Sequence, residues 1–125
     1  QMIINEYTGG RQGIRKHVDF GDFGPIISSL SLQNPCLMLF YPLEGTAPVY
    51  RLELRPRSLL VMRDSARYDL KHEIPSLKDT LKMGDDCCPE SLRNGNWGDQ
   101  LQAYSRISLT FRTMDDSTLS LAQTE

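Results

Sequence analysis

A chain of 125 residues with 39% hydrophobic and 24% charged residues has the make-up of one soluble globular domain with room for a single core. A formal net charge of −2 excludes a surface that is basic throughout, and no run of about 18 apolar residues is present to span a membrane as a helix. Three cysteines, two of them adjacent (Cys87 and Cys88), do not make a secreted disulfide framework, so an intracellular, reducing setting (cytoplasm or nucleus) is expected. The start at Gln1 carries no signal-peptide signature and no initiator Met, as a fragment or processed chain would.

Met2 to Tyr7 is rich in β-formers and runs into Gly9-Gly10, so a strand and a turn are expected. Ile14 to Asp19 is a second extended piece, closed by Gly21 and Gly24-Pro25. Ile26 to Leu32 follows, then the turn-prone Gln33-Asn34-Pro35 and the apolar run Cys36 to Tyr41, which is too short for a helix and reads as a buried strand. Val49 to Leu54 and Ser58 to Met62 are two more strands around Arg55-Pro56-Arg57. Arg67 to His72 fits a helical turn or a short strand equally well. The polar stretch Pro75 to Gln102 reads as a long loop insertion, with a short helix at Ser76 to Met83 as an option inside it. Tyr104 to Arg112 is the last strand, and Thr113 to Glu125 a polar tail. Many short strands punctuated by Gly and Pro predict a mainly β domain, an antiparallel sandwich or barrel.

Two stretches carry chemistry. In His17-Val18-Asp19, an imidazole and a carboxylate two residues apart point the same way on an extended strand. A second histidine would complete a two-histidine, one-carboxylate face, which suits a non-heme Fe(II) oxygenase because it leaves coordination positions open. The other histidine in the chain is His72. In Arg106 to Arg112, Ile107, Leu109 and Phe111 alternate with Arg106, Ser108, Thr110 and Arg112. Pattern alone favours an edge strand with a solvated polar side. The alternative is that the polar face lines a barrel mouth, where two guanidiniums grip the carboxylates of a small dianion bidentately.

Asn5-x-Tyr7, His17-x-Asp19, the Ile26 to Leu32 run, Pro56 to Met62, Ala66-Arg67-Tyr68-x-x-x-His72 and Arg106-x-Ser108-x-Thr110-x-Arg112 occur in that order. Together they resemble the catalytic core of the AlkB family of Fe(II)/2-oxoglutarate dioxygenases. The resemblance implies a double-stranded β-helix (jelly roll) core over residues 1–112, interrupted by the 75–102 insertion. It implies Fe(II) held by His17, Asp19 and His72, with 2-oxoglutarate as cosubstrate and O2 as oxidant. Arg106 would pair with the distal carboxylate of 2-oxoglutarate and Arg112 would lie near its keto-acid end. Asn5, Tyr7 and Thr110 would donate hydrogen bonds to it, as would Ser108, which stands where many family members carry Asn. Asp22 falls in the region where the family contacts its substrate base. Family members carry an N-terminal nucleotide-recognition lid before the Asn-x-Tyr strand, at which this sequence begins. The lid is expected either to lie outside this sequence or to be replaced by a differently built substrate surface.

The implied activity is oxidative demethylation of N-alkylated bases in DNA or RNA. Hydroxylation of a modified tRNA wobble base and a non-catalytic jelly-roll binding module are the alternatives. Arg51, Arg55, Arg57, Arg63, Arg67 and Lys71, with Arg11, Arg15 and Lys16, are candidate phosphate contacts for a nucleic-acid partner. Trp97 is a candidate stacking residue.

Overall fold

A computed structural model describes residues 1–84, 88–92 and 97–114. Among them are eight strands, β1 (Met2–Thr8), β2 (Ile14–His17), β3 (Phe23–Gln33), β4 (Cys36–Pro42), β5 (Tyr50–Leu54), β6 (Ser58–Met62), β7 (Leu70–Ile74) and β8 (Ser105–Met114). Three short helices accompany them: α1 (Asp64–Tyr68), α2 (Leu77–Lys82) and α3 (Trp97–Ala103). The strands form two four-stranded sheets, ordered β1-β8-β3-β6 and β2-β7-β4-β5.

The winding follows from the hairpin β4–β5. Reading outward from it, β4 pairs β5, β3 pairs β6, β2 pairs β7 and β1 pairs β8, each antiparallel. Successive pairs fall in different sheets, so a folded ladder coils into two facing layers. Pairings β3–β8 and β4–β7 then complete each sheet. This is the jelly-roll, double-stranded β-helix architecture expected from the residues and motifs.

The core lies between the sheets. Ile27, Cys36, Met38, Phe40, Leu54, Met62 and Ile74 form one buried cluster from both layers. β4 is apolar on both faces because its outward side chains, Leu37, Leu39 and Tyr41, form a second buried set. Leu39 lies opposite Arg51 and Glu73, the Tyr41 hydroxyl donates to Glu73 at 2.7 Å, and Lys16 Nζ sits 3.8 Å over the Tyr41 ring. The stems of those charged side chains cover apolar surface while their heads stay wet.

The segment read as a loop insertion is built as α2, a 3-10 turn at Glu90–Leu92 and α3. Ser76 caps α2, its hydroxyl accepting from the Asp79 amide at 3.1 Å. Leu77, Cys88 and Leu92 pack with Tyr7 and Tyr104, closing one end of the sandwich. Residues 85–87 and 93–96, the Trp97 side chain and residues 115–125 lie outside the described residues, and with them the stacking expectation for Trp97. The ambiguous stretch before His72 resolves into both options, α1 followed by β7. No described helix is long and apolar enough to cross a membrane.

Candidate metal centre

β2 and β7 place His17 and His72 directly opposite one another, with ring centroids 4.3 Å apart. Asp19 closes the group: its Oδ1 is 3.6 Å from His17 Nε2 and its Oδ2 is 3.7 Å from His72 Nε2. The three ligand atoms lie within 4.8 Å of one another. β2 ends at His17, so Asp19 stands in the following loop rather than on the strand. Strand alternation is therefore not what turns its carboxylate towards His17, a correction to the expectation above.

The protonation states of His72 and Asp19 suit ligation. His17 Nδ1 lies 2.7 Å from the Arg15 carbonyl, which can only accept, so the neutral ring keeps its lone pair on Nε2. Burial, the neighbouring His17 and the Arg67 cation hold His72 down at about 4 against an opposing pull from Asp19, so it is neutral at pH 7. Burial alone would raise the Asp19 carboxyl, but contact with His17, the neighbouring His72 and the Arg112 cation leave it lowered and ionised. His17 is pushed up, chiefly by that same Asp19 contact. Two imidazole nitrogens and one carboxylate are a donor set that fits Fe(II).

The group opens into a cavity of about 250 Å³. The polar face of β8 lines it: Arg106, Ser108, Thr110 and Arg112, joined by Asn5 from β1 and Ser29 from β3. β8 is a central strand, not an edge, and its polar side faces inward while Phe111 is 41% exposed on the other. The solvated-edge reading is thereby overturned. Tyr7 lies behind this wall, its ring 5.2 Å from the Arg106 guanidinium. Arg112 stacks 3.8 Å over Phe23 and reaches to 3.6 Å from Asp19. Asp22 is not brought into the cavity. It is exposed and borders a separate depression beside Tyr68 and Thr113.

Arg106 is the decisive side chain. It is 1% exposed, and its Nη2 donates to Ser31 Oγ at 3.0 Å. Its Nε and Nη1 have no partner, and no described carboxylate lies within ion-pair distance. Burial raises the nearby Cys36 thiol to about 11 and pushes the Tyr7 and Tyr104 hydroxyls up, so none of them is an anion at pH 7. A fixed cation with two free donors at a cavity wall fits one carboxylate of a small diacid. The residues present thus fit both an iron ion and 2-oxoglutarate.

A family model described as the 2OG-Fe(II) oxygenase superfamily matches residues 1–112. The chain belongs to that superfamily. It is 33% identical over 91% of its length to "Uncharacterized protein L905" of Acanthamoeba polyphaga mimivirus, spanning 48% of that protein. It is 42% identical over 49% of its length to the mitochondrial alpha-ketoglutarate-dependent dioxygenase alkB homolog 7 of Bos taurus, spanning 28% of it. It is 34% identical over 62% of its length to the "Alkylated DNA repair protein ALKBH8 homolog" of Arabidopsis thaliana, spanning 27% of it. The chain therefore covers half or less of the length of these curated relatives. The superfamily to which the chain belongs uses Fe(II) and 2-oxoglutarate, and two of these relatives carry AlkB-homologue names.

Two residues at this site escaped the sequence reading. Ser31 sits in a quoted motif without an assigned role, although it accepts from Arg106. Arg67 was placed among surface phosphate contacts, whereas it is 2% exposed. Arg51, Arg55, Arg57 and Arg63 are exposed as expected.

Proposed function

We propose that this AlkB-like oxygenase holds Fe(II) with His17, Asp19 and His72, seats 2-oxoglutarate on Arg106, and oxidatively demethylates N-alkylated nucleic-acid bases. The observation that carries the reading is the buried Arg106 with two unused donors on the cavity that also holds the three ligands. Arg106 takes the distal carboxylate, Arg112 steadies Asp19 near the keto-acid end, and Asn5, Ser108 and Thr110 supply short polar contacts along the wall. Tyr7 braces the guanidinium from behind. Iron and 2-oxoglutarate, when bound, supply the oxidising chemistry: 2-oxoglutarate and O2 become succinate and CO2 as one oxygen atom enters a substrate C–H bond. On an N-methyl group the hydroxymethyl product breaks down to formaldehyde and the free base.

The nucleic-acid substrate is supported by the printed name of the Arabidopsis relative and by the exposed Arg51 of β5, Arg55 and Arg57 of the turn that follows, and Arg63 just after β6. Asp22, on the loop after Asp19, is a candidate substrate contact. Protein with Fe(II), ascorbate and 2-oxoglutarate is expected to form succinate, and to release formaldehyde from N-methylated DNA or RNA oligonucleotides. Succinate without formaldehyde would point to a hydroxylase, of a modified tRNA wobble base among others. No succinate from folded, metal-loaded protein would point to a binding module and overturn the reading.

A further inference from the structure

Asp19 lies beyond the end of β2, so the strand ladder does not fix the backbone that carries its carboxylate. What reaches this loop is Arg67, from α1. Its Nη1 donates to the Asp19 carbonyl at 3.0 Å and its Nη2 to the carbonyls of Phe20 and Phe23 at 2.9 and 3.1 Å. Its Nε donates to the Gly24 carbonyl at 3.1 Å. Four of the five guanidinium N–H groups thus end on one six-residue turn, 43 to 48 positions away in sequence. At Gly24 a Cβ would collide with Thr113, so the turn passes this close to β8 only with glycine.

A buried guanidinium is costly unless its donors are used, and here they are used on carbonyls of a single segment. The same helix leads directly into β7 and His72. Arg67 therefore joins the segment bearing one histidine to the turn bearing the carboxylate. Lysine offers three donors on one nitrogen and cannot span carbonyls distributed over residues 19–24.

We propose that Arg67 is the positioning residue for Asp19: it presets the 19–24 turn so that the carboxylate faces both histidines before metal arrives. This rests on His17, Asp19 and His72 being the ligands. The test is a double-mutant cycle on Mn(II) affinity, which needs no turnover. Arg67→Lys is expected to weaken Mn(II) binding about 10-fold or more in the parent protein, and to leave it within about twofold in an Asp19→Ala background. Equal loss in both backgrounds would overturn the inference, because it would mean general loosening. Mn(II) affinity unchanged by Asp19→Ala would remove the ligand reading itself, and the clamp with it. If Arg67→Lys does not fold, the parent chain still decides. The Phe23 amide, which donates to the Phe20 carbonyl at 3.1 Å, is expected to exchange slowly in metal-free protein. Exchange at the rate of an open loop would overturn the proposal.

Discussion

Replacing Arg106 by Met tests the cosubstrate assignment, because Met keeps much of the volume and removes only the charge and donors. Losing one partner of a buried, hydrogen-bonded ion pair costs about 2–5 kcal/mol, or roughly 30- to 5,000-fold in Kd. The metal-free protein pays far less. Arg106 leaves Nε and Nη1 unsatisfied, and that penalty of about 1–3 kcal/mol per group disappears with the guanidinium. Against this stand the lost bond to Ser31 and the contact with the Tyr7 ring, of similar total size. Ligand-free stability is thus expected to move little while affinity collapses. At a 2-oxoglutarate concentration about 100 times the parent Kd, the ligand adds about 2.7 kcal/mol, and a 30-fold weaker site keeps about 0.9 kcal/mol. At roughly 4 °C per kcal/mol, the ligand-induced shift in Tm falls from about 11 °C to about 4 °C with Mn(II) present. Calorimetry on the same samples gives the Kd directly. A folded Arg106→Met protein that binds 2-oxoglutarate as the parent does would refute the assignment, whatever becomes of the metal site.

Mn(II) at about 100 times its Kd is expected to stabilise the protein by about 2.7 kcal/mol, reversibly removed by chelator and absent in Asp19→Asn; a melting shift that survives Asp19→Asn would place the ion elsewhere. Ser31→Ala takes the only described acceptor from Arg106 Nη2 in a site 1% exposed, and is expected to lower stability by about 1–3 kcal/mol, read from the urea midpoint. An unmoved midpoint would mean that water or another group satisfies the guanidinium. Arg57 holds φ 62° in the turn before β6, where the Ser58 amide donates to the Arg55 carbonyl. The left-handed backbone costs about 1–2 kcal/mol there and glycine's extra unfolded entropy about 0.5–1, so Arg57→Gly is expected to raise stability slightly. A lowered Tm would show that the Arg57 side chain contributes contacts of its own.

Most strand positions were legible from alternation and punctuation, because period two and Gly/Pro breaks survive without knowledge of the fold. Which face of a strand points inward did not follow. On β8 the usual rule assigns Ile107, Leu109 and Phe111 to the core, yet the sandwich interior receives Arg106 and Ser108. Alternation gives a period and not a direction; the direction was recoverable only from the order of several motifs taken together. His17 and Asp19 show the same limit at closer range. Their spacing pointed to one site, but the strand stops between them and a residue 48 positions from Asp19 pins the turn. Arg67 was illegible for a physical reason. A buried arginine satisfied by backbone carbonyls has no residue-specific partner, so nothing in the sequence pairs with it.

That distinction separates the two buried arginines among the described residues. Arg67 has its donors taken up by the chain's own carbonyls, so it organises the fold and carries no need for a ligand. Arg106 is as deeply buried and has Nε and Nη1 left over, and the Cys36 thiol and the Tyr7 and Tyr104 hydroxyls near it are neutral. A desolvated cation whose donors find no acceptor in the chain calls for a partner from outside it, a ligand or an ordered water, since burial without one is costly. Burial alone thus marks neither residue as functional. The balance of donors against acceptors does, and it underlies the two proposals made above: Arg67 as the brace of the Asp19 turn and Arg106 as the seat of an incoming carboxylate.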